Sequence, residues 1–163
     1  MTPLRLVGAA IIFFCAMTTV REYGAFCRRR IAQASAFLSF IRHLEERVCV
    51  YLMPISVAAS DFEDDELSSI GFAGALHSGG TLYSAFTIAR EKLLFSEEQK
   101  ELLSSFFRDF GGAYAADERA RIEKLIDSFS RLCAEDEKRV RASDQATRAL
   151  ILAVALGLII LIL

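Results

Sequence analysis

The stretch IAQASAFLSFIRHLEERVCVYLMPI, residues 31–55, decides the fold. Its apolar residues Ile31, Ala34, Leu38, Ile41, Val48, Leu52 and Ile55 fall at heptad offsets, and only Glu45 breaks the series. Phe37, Phe40, Leu44 and Tyr51 widen that stripe beyond the narrow seam of a bare two-stranded coiled coil. A face this wide belongs to a helix packed in a bundle. Upstream, nothing but the tolerated Gly24 interrupts the helical pattern, so the spacing predicts one helix running to about Met53. Pro54 ends it, because proline in a helix interior removes a donor and clashes with the preceding turn, at about 3 kcal/mol. The same residue suits the first turn of a new short segment over 55–60.

Working outward, both ends of the chain are apolar. Residues 6–20 and 149–163 carry no charge, whereas residues 21–148 hold 18 of the 19 basic and all 21 acidic residues. Such a middle is mildly acidic, which excludes a polybasic nucleic-acid binder. Two apolar ends around a charged centre also exclude a simple cytosolic enzyme and a disordered chain. As a helix, each end reaches about 22 Å, short of a hydrocarbon core of about 30 Å. Leu4 extends the first run, and Arg5 can snorkel to the headgroups. We therefore expect a transmembrane helix over 4–20, a cytoplasmic helical bundle with a stalk over 21–148, and a second transmembrane helix over 149–163. A cleaved signal peptide is the alternative for the first run; Ala16-Met17-Thr18 followed by Arg21 offers no convincing cleavage site.

The flanking charges set the expected orientation. Arg21, Arg28, Arg29 and Arg30 follow the first run, and Lys138, Arg139, Arg141 and Arg148 precede the second. The positive-inside rule places the middle in the cytoplasm and both termini outside. Cys15, Cys27, Cys49 and Cys133 stand singly, with no CxxC and no secreted-type spacing, as free thiols in a reducing compartment do.

The middle reads as helices throughout. Five carboxylates between Asp61 and Glu66 lack the spacing of a calcium loop and suit a solvated loop or helix start. Gly79-Gly80 marks a turn, Thr81 a cap, and Ser96-Glu97-Glu98-Gln99 a capping box. Leu102, Leu103, Phe106, Phe107 and Phe110 form the face of the next helix. Asp117-Glu118 opens the last one, where acid opposes the helix dipole. Ala149, Ala153 and Gly157 repeat every four residues, either as a close-packing face for a membrane helix or as ordinary filler.

No catalytic constellation emerges. His43 and His77 stand far apart, Arg47 lies one turn from His43, and no two Cys or His residues have zinc-ligand spacing. Gly79-Gly80-Thr81 lacks the strand and Lys-Ser/Thr of a phosphate-binding loop. The residues favour a non-enzymatic scaffold, with no metal and no cofactor.

Leu44-Glu45-Glu46-Arg47-Val48 followed by Pro54-Ile55-Ser56-Val57-Ala58 resembles a Leu-Glu-x-Glu-Ile … Pro-Leu-Pro-Glu-Ala stretch of the stage III sporulation protein AB family of endospore-forming bacteria. Gly80-Thr81-Leu82-Tyr83-Ser84-Ala85-Phe86 looks like the family's Thr-x-x-x-Ala-Trp turn and helix. Asp117, Arg119 and Ile122 are similar to its Asp-Arg-x-x-Gln-Ile segment. The chain departs at Ser56 and Val57, where the family tends to Pro-Glu, and has Gly111-Gly112 or Ala113-Tyr114 near the family's Leu-Gly. The family is in turn similar to the cytoplasmic domain of the F-type platform proteins of type II secretion and type IV pili. The resemblance implies a scaffold of a secretion-like channel between mother cell and forespore, in the outer forespore membrane. It implies a secretion-type cytoplasmic ATPase and other small membrane subunits as partners, with a homo-oligomer possible.

A membrane-tethered regulator, whose stalk over 134–148 relays a signal, is the competing class. The expected near-absence of an extracytoplasmic domain counts against it. For partner binding the candidates are Glu46, Arg47 and Pro54; for membrane helix packing they are Ala149, Ala153 and Gly157.

Overall fold

A computed structural model describes residues 3–112 and 115–162. Ala113 and Tyr114, near the family's Leu-Gly position, and Leu163 at the end of the second apolar run lie outside the described residues. The described residues are helical with no strand: α1 (Pro3–Leu44), a π-helical turn (Glu45–Val50), α2 (Ile55–Ser60), α3 (Asp65–Ser69), α4 (Phe72–His77), α5 (Leu82–Ala89), a 3₁₀ turn (Arg90–Lys92), α6 (Glu97–Asp109) and α7 (Ala115–Ile162). The chain divides into two compact units, a central one over Arg30–Glu135 and a terminal one of Met1–Arg29 with Asp136–Leu163.

The local chemistry explains the helix boundaries of the central unit. Asp64 caps α3 by accepting from the Leu67 amide, and Thr81 caps α5 by accepting from the Ser84 amide. The acidic run therefore includes a helix start. Ser96 and Gln99 form a reciprocal capping box on α6, as their spacing predicts. Between Ile70 and Phe72 the chain turns at Gly71, whose φ of 87° favours a residue without a Cβ.

One core fills this unit, and phenylalanine dominates it. Phe37 and Phe40 of α1, Phe72 of α4, Phe86 of α5 and Phe129 of α7 are fully buried, with Leu44, Leu67, Leu103 and Ile122 between them. Phe107 of α6 sits among these rings, with centroids 5.4 Å from Phe86 and 5.9 Å from Phe72. The rings are tilted or edge-on, the arrangement that aligns positive edges with negative faces. The two buried glutamines find partners: Gln33 Oε1 accepts from the Leu94 amide at 3.0 Å, and Gln99 Oε1 from the Ser96 amide at 2.9 Å. Glu118, almost fully buried in the first turn of α7, accepts from the Gly111 amide at 3.1 Å.

Gly111 is fixed by two constraints. Its φ is 96°, and a Cβ there would lie 2.4 Å from Ile55 Cδ1. Gly111→Ala therefore combines a strained backbone with a clash, and we expect a loss of about 1–3 kcal/mol. Chemical denaturation measures it; an unchanged midpoint would mean the turn between α6 and α7 is not as described.

In the terminal unit Ala16, Cys27 and Ala155 are buried, and Tyr23 Oη lies 3.3 Å from Ser143 Oγ. Thr18 and Thr19 turn their hydroxyls back onto carbonyls of Phe14 and Cys15, at 2.9–3.1 Å, which satisfies them inside an apolar run. Large apolar side chains stand exposed on both segments, among them Ile11, Phe14, Leu150, Leu156 and Ile160. α1 is the helix among the described residues that is long and apolar enough to cross a membrane.

Candidate functional site

The residues proposed from sequence for partner contact lie where α1 ends. The helical pattern predicts continuation to about Met53, but the α-helix stops at Leu44 and widens into a π turn over Glu45–Val50. The Tyr51 amide reaches back to the Glu46 carbonyl at 3.2 Å and the Met53 amide to the Arg47 carbonyl at 2.9 Å. Leu52 then adopts φ 54°, the only positive φ among the described non-glycine residues. The cause is Pro54: it disfavours helical geometry at the residue before it, so the last turn loosens and reverses instead of continuing. Pro54 itself precedes α2 at φ −57° and ψ 136°, and its carbonyl accepts from the Val57 and Ala58 amides.

This turn inverts part of the heptad. Leu52, at a stripe position, is 73% exposed; Val50, Tyr51 and Val57 are exposed beside it. Ile31, Leu38, Val48 and Ile55 are half-buried, and the deepest residues are Phe37, Phe40, Ile41 and Leu44. Four apolar side chains thus project within eight residues of sequence, and two of them, Val50 in the π turn and Leu52 at its positive φ, sit on uncommon backbone. Uncommon backbone kept against its conformational cost is a recurrent mark of functional surfaces.

Charged groups frame the apolar turn. Glu46 is exposed. Arg47 Nη2 lies 3.6 Å from Asp61 Oδ2, and its guanidinium sits 5.9 Å from the Tyr51 ring centroid. Glu45 lies 3.8 Å from Arg119 Nε. His43 rests against the Phe62 ring with Nε2 3.1 Å from the Ala58 carbonyl, a core-edge histidine tying α1 to α2. Burial, then the nearby Glu45 and Glu118 carboxylates, push the Cys49 thiol above its usual range, which disfavours the reactive thiolate. Among the described residues no group of three His, Cys, Asp or Glu side chains is placed to hold a metal.

The α2 side of the segment borders a groove of about 510 Å³, to which Ile55, Ser56, Tyr83, Arg108 and Phe110 contribute. Arg108 lies over the Tyr83 ring at 5.0 Å and donates to its hydroxyl at 3.2 Å. The sequence did not reveal this contact, because the pairing joins α5 to α6.

In the terminal unit Ala149, Ala153 and Gly157 are exposed, and a Cβ added at Gly157 would meet nothing within 4 Å. The buried small residue there is Ala155. Among the described residues the every-fourth-residue face is thus an exposed one.

These features define an all-helical protein with a membrane-compatible N-terminal helix. The stage III sporulation protein AB family matches over residues 5–163, and the chain belongs to that family, which gives it a role in stage III of sporulation. No curated protein matches it, and no solved structure does.

Proposed function

We propose that the protein is a membrane-anchored platform of a sporulation-specific, secretion-like channel between mother cell and forespore. Its central unit faces the mother-cell cytoplasm, and both apolar ends, 4–20 and 149–163, span the outer forespore membrane. The observation that carries this reading is the distribution of apolar surface. The central unit buries its rings in one core, while the terminal segments leave large apolar side chains exposed on both α1 and α7. Apolar surface of that extent is unfavourable in water and needs no further partner in lipid.

The platform role rests on family membership together with the strained apolar turn at Val50–Leu52. A secretion-type cytoplasmic ATPase docks there, with Glu46 and Arg47 steering and the Pro54 turn presenting the surface. Other small membrane subunits meet the exposed Ala149, Ala153 and Gly157 face, where side chains this small allow close helix approach. The role is scaffolding and involves no catalysis by this chain.

Sidedness gives a direct test. A reporter active only outside the cytoplasm, fused after Leu163, is expected to be active, and the same reporter inserted beside Arg90 inactive. The opposite pattern would remove the cytosolic ATPase from the account.

A further inference from the structure

We propose that the terminal unit contains a binding site for the headgroup of an anionic phospholipid. The proposal rests on the reading of 4–20 and 149–163 as spans.

A hollow of about 400 Å³ is lined by Phe14, Met17, Val20, Gly24 and three arginines, Arg21, Arg28 and Arg148, with Thr18 completing it. Along α1 the positions 14, 17, 21, 24 and 28 recur at three and four residues, so they share one face. That face is ordered: apolar toward the N-terminus and basic beyond Val20, with the change where the first uncharged run ends. Arg148 stands at the matching point on α7, just before the second uncharged run.

Two guanidinium groups converge on Gly24. The point its Cβ would occupy lies 2.7 Å from Arg148 Nη2 and 3.5 Å from Arg28 Nη1. A side chain at position 24 would push the Arg148 fork aside and take up the space between the two groups. Asp144 takes Nε and Nη2 of Arg148, at 2.9 and 2.8 Å, so the forks open to an anion are those of Arg21 and Arg28, with which no carboxylate pairs among the described residues. Positive charges gathered around a hollow, with fewer carboxylates than cations, call for an anion. Guanidinium forks match phosphate oxygens in geometry as well as charge.

The apolar half of the lining identifies the source of that anion. Phe14 lies about 10 Å along the helix from Arg21, so a phosphate beside the arginines leaves its acyl chains along Phe14, Met17 and Val20. A free phosphate would use only the basic half. Basic pockets between membrane helices on the cytoplasmic side have the charge and depth to hold anionic headgroups.

The experiment uses the full chain in nanodiscs of phosphatidylcholine with or without phosphatidylglycerol, read by native mass spectrometry after release. Wild type is expected to retain phosphatidylglycerol at least tenfold more than phosphatidylcholine. Arg28→Gln/Arg148→Gln loses that preference, and so does Gly24→Leu, which keeps every charge but fills the hollow. Arg28→Lys/Arg148→Lys retains part of it, and Arg139→Gln, outside the lining, retains all of it. Circular dichroism establishes that each variant is helical, and carbonate extraction that it is inserted. Undiminished preference in both the double Gln and the Gly24→Leu variants overturns the site. Displacement of the lipid by millimolar inorganic phosphate alone overturns its assignment to a lipid. An inserted chain with no preference overturns this inference and leaves the spans standing, whereas a chain removed by carbonate overturns the spans and this inference with them.

Discussion

Phe107→Asp unfolds the central unit. Phe107 is 3% exposed, and its ring lies 5.4–6.4 Å from those of Phe37, Phe40, Phe72, Phe86 and Phe106. Truncating a buried phenylalanine costs about 3–5 kcal/mol from lost transfer energy and the cavity left behind. A carboxylate in that cavity adds several kcal/mol more, because nothing there is placed to receive its charge. The sum approaches the whole stability of an ordinary domain, about 5–15 kcal/mol. In the full chain in detergent, limited proteolysis is expected to cut rapidly within residues 30–135 of this variant and slowly in wild type. Phe106→Asp, at a half-buried position, is milder. Equal resistance of Phe107→Asp and wild type would mean that α6 packs through another face.

The second large effect separates binding from folding. Leu52 holds φ 54° with its side chain in solvent, so its conformation costs roughly 1–2 kcal/mol without any burial in return. Leu52→Gly removes that strain. Part of the gain is lost to the greater freedom of glycine in the unfolded chain, worth about 0.5–1 kcal/mol. Stability should therefore hold or rise by up to ~1 kcal/mol. Capture of the proposed ATPase should fall at least tenfold, as expected when the central apolar side chain of a docking surface is deleted. Glu46→Lys and Arg47→Glu, at the rim, should slow association more than they speed release. The measurement is co-purification of the ATPase with folded, membrane-inserted variants. Wild-type capture by Leu52→Gly and by both charge reversals would exclude this surface.

How much of this was legible in the sequence depends on the range of the interaction involved. Caps are local, so Thr81 and the Ser96–Gln99 box could be read directly, and α2 begins after Pro54 as proline chemistry requires. The heptad through Leu38 and Ile41 identified the core face of α1. The same pattern failed at Leu52, because periodicity assumes that the helix continues and Pro54 reaches back to end it. α3 and α4, of five and six residues, are too short to show a period of 3.6, and the turn at Gly71 is visible only through its φ. Phe106, Phe107 and Phe110 were indistinguishable by spacing; only the rings contributed by α1, α4 and α5 make Phe107 the deepest. Glu46, Arg47 and Pro54 are proposals from the sequence, and the structure puts them where α1 ends. The strained apolar turn beside them was not legible, since nothing in a leucine announces a positive φ. The small-residue face at Ala149, Ala153 and Gly157 was legible as a pattern, but the chain buries Ala155 instead.

The central claim is that a folded, membrane-anchored central unit presents the turn after α1 to a cytosolic ATPase. Photo-crosslinking in sporulating cells tests it most directly, with the photoreactive residue placed singly at Val50, Leu52 and Val57, and at exposed Ser105 as a control. The account predicts an adduct with a secretion-type ATPase from the turn positions and none from Ser105. Inserted, protease-resistant protein that yields no ATPase adduct from any turn position would contradict it.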